Sequence, residues 1–223
     1  SLEFRRWLKP GWPSRARNAK AALMVVGGQA RRNRATSGRV RIIGGIWRGR
    51  KLSVAPRSAL RPSPDRVRET LFNWLSPYIS GARCLDLFSG TGVLGLEAVS
   101  RGAGSATLLD SDPLIADHLR RHAAELKADS VSVIESDAFR WLGEHRPEPF
   151  DIVFLDPPFV AGSIERAIDQ LNRGWLKNRA WVYLEAEKIP ILHVEASGWR
   201  VRRRGQTKHV DFALAEVGQK SPS

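Results

Sequence analysis

The pattern of apolar and polar positions from residue 82 onward predicts strands that alternate with helices. Short apolar runs occur at 83–87, 105–109, 131–134 and 151–155, and segments with helical spacing lie between them at about 92–101, 113–127 and 137–144. Alternation of this kind is typical of a parallel sheet with helices on both faces. One further strand fits 180–184, and the C-terminal region predicts an antiparallel pair, 199–204 and 209–215, around Gly205.

A different pattern precedes this region. Residues 39–43 and 50–54 alternate between apolar and polar or basic side chains, and the turn-rich stretch 44–49 lies between them. We therefore expect a β-hairpin with one basic face. The pair Ser63-Pro64 is a helix-start signal, and the apolar spacing after it predicts a helix over about 64–78.

The first 38 residues show no apolar periodicity and mix Arg, Gly, Pro and Ser, which is typical of a disordered extension. The chain opens with Ser1 and its only methionine is Met24, so we interpret residues 1–23 as an added or upstream segment, with an organelle transit peptide as the alternative. The expected organisation is a basic extension (1–38), the hairpin (39–61), a main domain (62–217) and a tail (218–223).

Composition indicates a globular chain with an ordinary core and an unusual charge. Hydrophobic residues make up 42% and charged residues 26% of the 223 positions. With a single cysteine, Cys84, we expect neither an intramolecular disulfide nor a structural zinc cluster, and a reducing, cytoplasmic compartment fits. No apolar run approaches the length of a membrane span, so we expect no membrane partner.

The positive charge belongs to one end of the chain. The formal net charge is +13, but residues 1–61 hold 16 Lys/Arg and one acid, whereas residues 62–223 hold 20 Lys/Arg and 22 acids. Such a basic end suits a polyanion, either nucleic acid or, less often, an anionic membrane. A solvated tail is the alternative interpretation of the same charge.

Four acids stand at or beside the ends of the four predicted parallel strands: Asp86, Asp110, Asp137 and Asp156. The carboxyl ends of parallel strands meet at one edge of the sheet, and this edge is where open α/β sheets bind ligands. The sequence therefore predicts a binding site at this edge.

A glycine-rich loop follows the first of these strands, with Gly90, Gly92 and Gly95 at the spacing of a nucleotide-binding turn. Asp86 lies just ahead of the loop, where a carboxylate repels a pyrophosphate and favours a cation. S-adenosylmethionine (SAM) fits this requirement, because it carries an ammonium and a sulfonium group and no phosphate. Asp110 is then suitably placed for the ribose hydroxyls, and Asp137 for the adenine amine.

The fourth strand runs into Asp156-Pro157-Pro158-Phe159. The two prolines keep the backbone extended and remove two N–H donors, which leaves a carboxylate, carbonyl acceptors and an aromatic face. These groups suit a planar base with an exocyclic amine: the ring stacks and the acceptors take the amine hydrogens. Asp156, Pro157, Pro158 and Phe159 are therefore the candidate catalytic residues.

Three blocks together resemble the bacterial 16S rRNA (guanine-N2)-methyltransferase D family: Asp86-Leu-Phe-Ser-Gly-Thr-Gly92, Asp156-Pro-Pro-Phe159 and Arg61-Pro-Ser-Pro-Asp-Arg-Val-Arg-Glu-Thr-Leu-Phe-Asn73. The likeness covers about residues 39–217. It implies a Rossmann-like SAM-dependent methyltransferase sheet, mostly parallel with an antiparallel C-terminal strand, after an N-terminal basic β-hairpin. It also implies SAM as the cofactor, with Phe88 among its contacts, and a monomer that methylates one guanine of 16S rRNA in the 30S ribosomal subunit.

Two positions depart from the family pattern. The family has Tyr where this chain has Phe159, so stacking is kept and a hydroxyl contact is lost. The helix after Asp110 carries His122 where the family has Asn, and an isolated helical histidine is typically solvated or capping.

The candidate RNA contacts come from two segments. The hairpin offers Arg41, Arg48, Arg50 and Lys51, with Trp47 at its tip either stacking on a base or belonging to the core. By resemblance, Arg61, Arg66 and Arg68 line the active site, although spacing alone favours a solvated face. Because Arg66 and Arg68 are two residues apart, one would reach the cleft or the RNA while the other pairs with Glu69 or solvent.

Two other functions stay open at this point. A DNA methyltransferase acting on adenine N6 or cytosine N4 would use the same Asp-Pro-Pro-aromatic chemistry, although no target-recognition domain is evident beyond residue 62. A non-catalytic RNA-binding protein with a methyltransferase fold is the second alternative, against which the retained Asp86, Gly90, Gly92 and Asp156 argue.

Overall fold

The computed structural model describes residues 38–54, 64–158 and 160–218, which form nine strands and six helices. The strands are β1 (Arg39–Arg41), β2 (Lys51–Ser53), β3 (Arg83–Asp86), β4 (Ser105–Asp110), β5 (Val131–Glu135), β6 (Phe150–Leu155), β7 (Leu176–Ala186), β8 (Trp199–Gln206) and β9 (Asp211–Val217). The helices are α1 (Asp65–Leu75), α2 (Val93–Ser100), α3 (Pro113–Leu126), α4 (Ala138–Glu144), α5 (Ser163–Leu171) and α6 (Ile191–Ala196).

Seven strands form one mixed sheet in the order β5-β4-β3-β6-β7-β9-β8. The five strands from β5 to β7 are parallel, and β9 pairs antiparallel with both β7 and β8. The short strands β1 and β2 form a separate antiparallel hairpin, with Val40 opposite Leu52. The predicted fold class is therefore confirmed.

Helices cover both faces of the sheet because the central strands are apolar on both sides. Cys84 of β3 and Phe154 of β6 contact the cluster formed with α1, α2 and α3. Leu85 and Val153 are the sequence neighbours of these residues and point to the other face of the sheet, where they contact the cluster formed with α4, α5 and α6. The hairpin adds Val40 and Leu52 to the first cluster, so its apolar face is part of the core.

Several predicted boundaries change. Helix α1 begins at Asp65, one residue after Pro64, and ends at Leu75. Ser63, its predicted cap, lies outside the described residues. Helices α5 and α6 were not predicted, although the apolar spacing of α5 is helical.

The predicted turn around Gly205 is wrong, because the turn between β8 and β9 lies at 207–210. Gly205 belongs to β8 and pairs with Phe212. A β-carbon at Gly205 would lie 2.2 Å from the Phe212 ring, so the glycine leaves room for that ring.

The predicted extension (1–38) lies outside the described residues except for Gly38, as do residues 55–63, Phe159 and residues 219–223. Within the described ranges, no helix combines the length and the apolar character needed to cross a membrane.

Candidate active site and nucleic-acid interface

The predicted acids lie at one edge of the sheet. Asp86 ends β3, Asp110 ends β4, Asp137 follows β5 and Asp156 follows β6. Strands β3 and β6 are neighbours, and the chain leaves them toward opposite sides of the sheet. This is the switch point at which doubly wound sheets bind ligands, and Asp86 and Asp156 flank it.

The glycine-rich loop connects β3 to α2 beside Asp86. Gly92 adopts φ 72°, a left-handed conformation that favours glycine, and it caps the N-terminus of α2. A β-carbon at Gly92 would also lie 2.4 Å from the Leu119 side chain. Gly90, at φ 50°, donates its N–H to an Asp110 carboxylate oxygen at 3.0 Å, so the loop is held to the end of β4.

Asp86 is a buried carboxylate, only 3% exposed, and its Oδ2 accepts from the Gly95 N–H at 3.2 Å. Burial raises its pKa to about 7; the Gly95 N–H acts in the opposite direction, and the nearby Asp110 carboxylate raises it further. Burial also raises the pKa of Asp110, although the N–H groups of Asp112 and Gly90 partly offset this effect. Two close carboxylates that resist ionisation favour a cation in this pocket.

Asp156 and the two prolines form the other side of the switch point. Asp156 is half-buried, Pro157 is buried and Pro158 is exposed. Burial raises the pKa of Asp156 well above its ordinary value, and the charges of Glu185 and Asp86 act in the same direction. Phe159, the predicted stacking residue, lies outside the described residues.

Glu185 was not predicted from the sequence. It lies near the end of β7, next to β6, and is 5% exposed. The Tyr183 hydroxyl donates to its Oε2 at 2.6 Å. The only sequence signal is an acid within the apolar run 180–186, which the parallel strand β7 carries to the same edge as Asp156.

Phe88 and Asp137 border the site. The Phe88 ring is half-buried and contacts the Phe139 ring, with centroids 5.8 Å apart. Asp137 is exposed and caps α4, because its Oδ1 accepts from the Arg140 N–H at 2.8 Å. One carboxylate oxygen of Asp137 therefore has a structural role that the sequence interpretation did not include.

These groups fit SAM by their chemistry. Asp86 and Asp110 offer buried or half-buried acceptors beside a glycine loop, which suit an ammonium group and ribose hydroxyls. A dinucleotide would place its pyrophosphate near the same carboxylates and be repelled.

Arg68 is a correction to the predicted RNA contacts. Its side chain is fully buried, donates to Glu97 at 3.0 Å and to the Arg41 carbonyl at 2.9 Å, and also pairs with Asp65. The spacing argument offered Glu69 as a partner, but Arg68 does not pair with it. Buried arginines are stable only when paired in this way, and Arg68 therefore cannot reach RNA.

The remaining predicted RNA contacts are mostly at the surface. Arg66, Arg48, Arg50 and Lys51 are exposed, although Arg50 also donates to the Glu125 carbonyl at 3.4 Å. Arg41 is exposed and pairs with Asp65 at 3.0 Å. Arg61 lies outside the described residues.

Trp47 is half-buried and packs against the core cluster, and its backbone N–H donates to the Ser100 hydroxyl at 2.9 Å. The exposed apolar residue of the turn is its neighbour Ile46, at 79%. The sequence left open whether Trp47 stacks on a base or belongs to the core, and the structure shows core contacts.

His122 is also different from its expected state. It is 3% exposed rather than solvated, and its Nε2 lies 3.1 Å from the Ser53 hydroxyl of β2, which makes it part of the contact between α3 and the hairpin. Burial lowers its pKa.

The sheet order, the glycine loop after β3 and the carboxylates at the switch point define a SAM-dependent methyltransferase. SAM is the cofactor of this class. The chain belongs to the family described as conserved hypothetical protein 95, whose model matches residues 40–216.

Its relatives include the ribosomal RNA small subunit methyltransferases D. The one from Escherichia coli K12 is 45% identical over 183 residues, which are 82% of this chain and 92% of the relative. The one from Haemophilus influenzae is 44% identical over 181 residues, 79% of this chain and 93% of the relative. These matches confirm the family resemblance carried by the three motifs.

A solved structure, the Escherichia coli protein yhhF, has the same fold. It is 41% identical, with a TM-score of 0.73, and the match covers 82% of this chain and all of that one.

Proposed function

We propose that the protein transfers a methyl group from SAM to the exocyclic N2 amine of a specific guanine in 16S rRNA, within assembled small-subunit particles. The name of the relatives that are 44–45% identical supports small-subunit rRNA as the substrate. The observation that supports an exocyclic amine as the target group is the position of Asp156-Pro157-Pro158 beside Asp86 at the switch point.

The amine side of the site consists of acceptors. Pro157 and Pro158 contribute no N–H donor, and the Asp156 carboxylate accepts a hydrogen of the amine. The lone pair of an amine attached to a base ring is conjugated, so the amine is a weak nucleophile and orientation supplies much of the rate. Phe159 is the residue that we propose to stack on the base.

Bound SAM supplies a methyl group activated by a positively charged sulfur. Asp86 would hold the ammonium end, Asp110 the ribose hydroxyls, and the remaining oxygen of Asp137 the adenine amine. Gly90 and Gly92 would allow the loop to approach SAM closely, and Phe88 would contribute an apolar contact.

The target amine forms the new N–CH3 bond as the sulfur–methyl bond breaks, and the amine releases one proton. Asp156 or solvent accepts this proton. The raised pKa of Asp156 makes it a stronger base than an ordinary carboxylate, which suits this role.

Methyl transfer from labelled SAM tests the proposal. Assembled 30S particles, free 16S rRNA and double-stranded DNA are each incubated with the protein, digested and analysed as nucleosides. The expected product is N2-methylguanosine, formed most efficiently on 30S particles. Label in N6-methyladenine or N4-methylcytosine of DNA would establish the DNA alternative instead.

Calorimetry with SAM addresses the remaining alternative. A non-catalytic RNA-binding protein would bind no SAM, whereas a methyltransferase binds it at one site per chain. Binding without transfer to any of the three substrates would contradict the proposed substrate.

A further inference from the structure

The outer edge of the sheet carries an arginine-rich strand that the sequence interpretation did not use. Four exposed arginines, Arg200, Arg202, Arg203 and Arg204, lie on β8. Arg202 and Arg204 pair with Glu216 at 2.5 Å and Asp211 at 2.9 Å on β9. Within the described ranges no ion pair involves Arg200 or Arg203, and both are exposed, although Arg203 donates to the Arg202 carbonyl at 3.2 Å.

A groove lies beside this strand. Two cavities of about 560 and 550 Å³ lie side by side here, and Arg179, Arg202 and Glu216 line both of them. Each has the size of an ordinary ligand site. Neither contains Asp86 or Asp156, so the groove is separate from the switch point.

One wall of the groove is aromatic. The rings of Tyr78 and Trp181 stack with centroids 4.2 Å apart, and Tyr78 is 43% exposed. Trp74, also at the wall, stacks on Phe212 with centroids 5.6 Å apart. Packing thus holds the aromatic rings in place, while Tyr78 keeps an accessible face.

A bulge turns a further cation toward the groove. The β6–β7 register shifts between Phe150 and Ile152, and the bulged segment of β7 contains Arg179 at φ 63°. A non-glycine residue in the left-handed region is uncommon and costs conformational energy. The exposed Arg179 of this bulge lines both cavities.

We propose that this arginine–aromatic groove (Tyr78, Arg179, Trp181, Arg200 and Arg203) binds a single-stranded segment of the RNA substrate. Guanidinium groups without an ion-pair partner match phosphates, and the open face of Tyr78 matches an unstacked base. A paired duplex offers no base face to an aromatic ring, so the chemistry selects a single strand. The inference rests on the proposed function and adds a second RNA contact to it.

The groove lies at the opposite edge of the sheet from Asp156. Arg179 lies near the start of β7, and Trp181 pairs with Glu216 near the end of β9. Leu184, further along β7, pairs with Leu155 at the end of β6, next to Asp156. The groove is therefore separated from the target amine along the strands as well as across them, and the RNA segment that it binds is remote from the methylated base.

Neutralising Arg200 and Arg203, which form no ion pair within the part of the chain that the structure describes, tests the groove. The variant R200Q/R203Q keeps the ion pairs of Arg202 and Arg204, and the control R146Q/R173Q removes two exposed charges that line neither cavity. Filter binding of single-stranded 16S rRNA fragments is measured over a salt series. The groove variant should lose roughly 1.4 from the log–log salt slope, about 0.7 per phosphate contact, while the control and the SAM affinity stay unchanged.

Tyr78 separates stacking from charge. Y78A should bind RNA roughly 5- to 150-fold more weakly, whereas Y78F should bind like the parent because the ring remains. Thermal denaturation of both variants shows whether they are folded. Equal RNA affinity of folded Y78A and the parent would overturn the stacking contact.

Activity distinguishes this inference from the proposed function. If the parent methylates rRNA, R200Q/R203Q should raise KM with little change in kcat; an unchanged KM and salt slope would overturn the groove and leave the function intact. If the parent methylates no rRNA but the groove variant still loses salt slope, the function fails and the groove stands. If the variant loses binding to 30S particles but not to naked RNA, the partner is a protein surface and the RNA inference is wrong.

Discussion

Asp86 determines how the stability of the SAM-free protein depends on pH. Its pKa of about 7 in the folded protein lies above the ordinary value of 3.8, because the carboxyl is buried. The folded state therefore holds this proton more tightly than the unfolded state. The SAM-free protein loses stability as pH rises from about 4 to about 7. In the proposed arrangement, bound SAM would place its ammonium group beside the Asp86 carboxylate and favour the ionised form.

Asp86→Asn should remove this pH dependence. Without SAM, the variant should be more stable than the parent at pH 8, by an amount on the order of a few kcal/mol. At pH 4 the two proteins should be equally stable. SAM should bind the parent more tightly as pH rises through 7, and should bind the variant weakly at every pH. Denaturant titrations and calorimetry across pH measure both effects; parallel stability curves for the two proteins would contradict the assignment.

We propose that Asp156 acts on the target amine rather than on the cofactor. Asp156→Ala should therefore lower methyl transfer by at least 100-fold, while SAM affinity changes little. Single-turnover transfer to 30S particles and calorimetry with SAM measure the two quantities separately. An active Asp156→Ala enzyme would remove this residue from the mechanism, and loss of SAM binding would place it in the cofactor pocket.

The sequence predicts single residues well where one strand determines their position. Asp86, Asp110 and Asp156 follow from the ends of apolar runs, because parallel strands bring those ends to one edge. Arg68 and Glu185 could not be predicted in the same way. Arg68 is buried only because Glu97, 29 residues away, comes within 3.0 Å, and this pairing depends on how α1 packs against α2.

At the scale of elements, Glu97 joins the hairpin to the cofactor loop. Its carboxylate is buried in α2 and accepts from the N–H groups of Ile43 and Gly44 as well as from Arg68 and Arg101. Because α2 begins directly after the glycine loop, one carboxylate ties the RNA-binding candidate to the helix that borders the SAM pocket.

Glu97→Ala should be strongly destabilising. It leaves the buried Arg68 without this partner, and breaking one side of a buried ion pair costs about 3–5 kcal/mol. Asp65→Ala, at the half-exposed end of the same network, should cost about 1 kcal/mol or less. Chemical denaturation of the variants measures both; equal costs would mean that the network acts as a surface ion pair.

The elements that the sequence predicts poorly have identifiable causes. Helix α6 has only six residues, too few for a periodic pattern. Strand β7 begins at Leu176, but the polar residues 177–179 of its bulge hide the start of the strand. Gly205 has the composition of a turn, yet it belongs to a strand because the Phe212 ring occupies the space beside it.

At the scale of the whole molecule, charge is separated from chemistry. Residues 62–223 have 20 Lys/Arg against 22 acids, and the catalytic edge itself is acidic, so net charge there does not attract RNA. The hairpin and the arginine–aromatic groove supply exposed cations outside this edge. An acidic site with basic surfaces elsewhere on the molecule suits a cationic cofactor and a polyanionic substrate at the same time.

The last prediction compares the hairpin with the first 23 residues. Residues 1–23 hold six Lys/Arg and one acid, but the family match begins only at residue 40, so we expect the RNA contact to be the hairpin. Neutralising Arg48, Arg50 and Lys51 to glutamine should lower the log–log salt slope of RNA binding by roughly 0.7–0.9 per lost phosphate contact, without moving SAM affinity. Deleting residues 1–23 should change RNA binding much less.

Both variants are compared in one filter-binding series over salt, with 30S particles and 16S rRNA fragments as ligands. Methyl transfer at saturating substrate should survive in both, because neither change touches Asp86 or Asp156. If the deletion removes most of the binding and the hairpin variant almost none, the first 23 residues are the RNA-binding element. The exposed cations at positions 48, 50 and 51 would then serve only to keep the edge of the hairpin solvated.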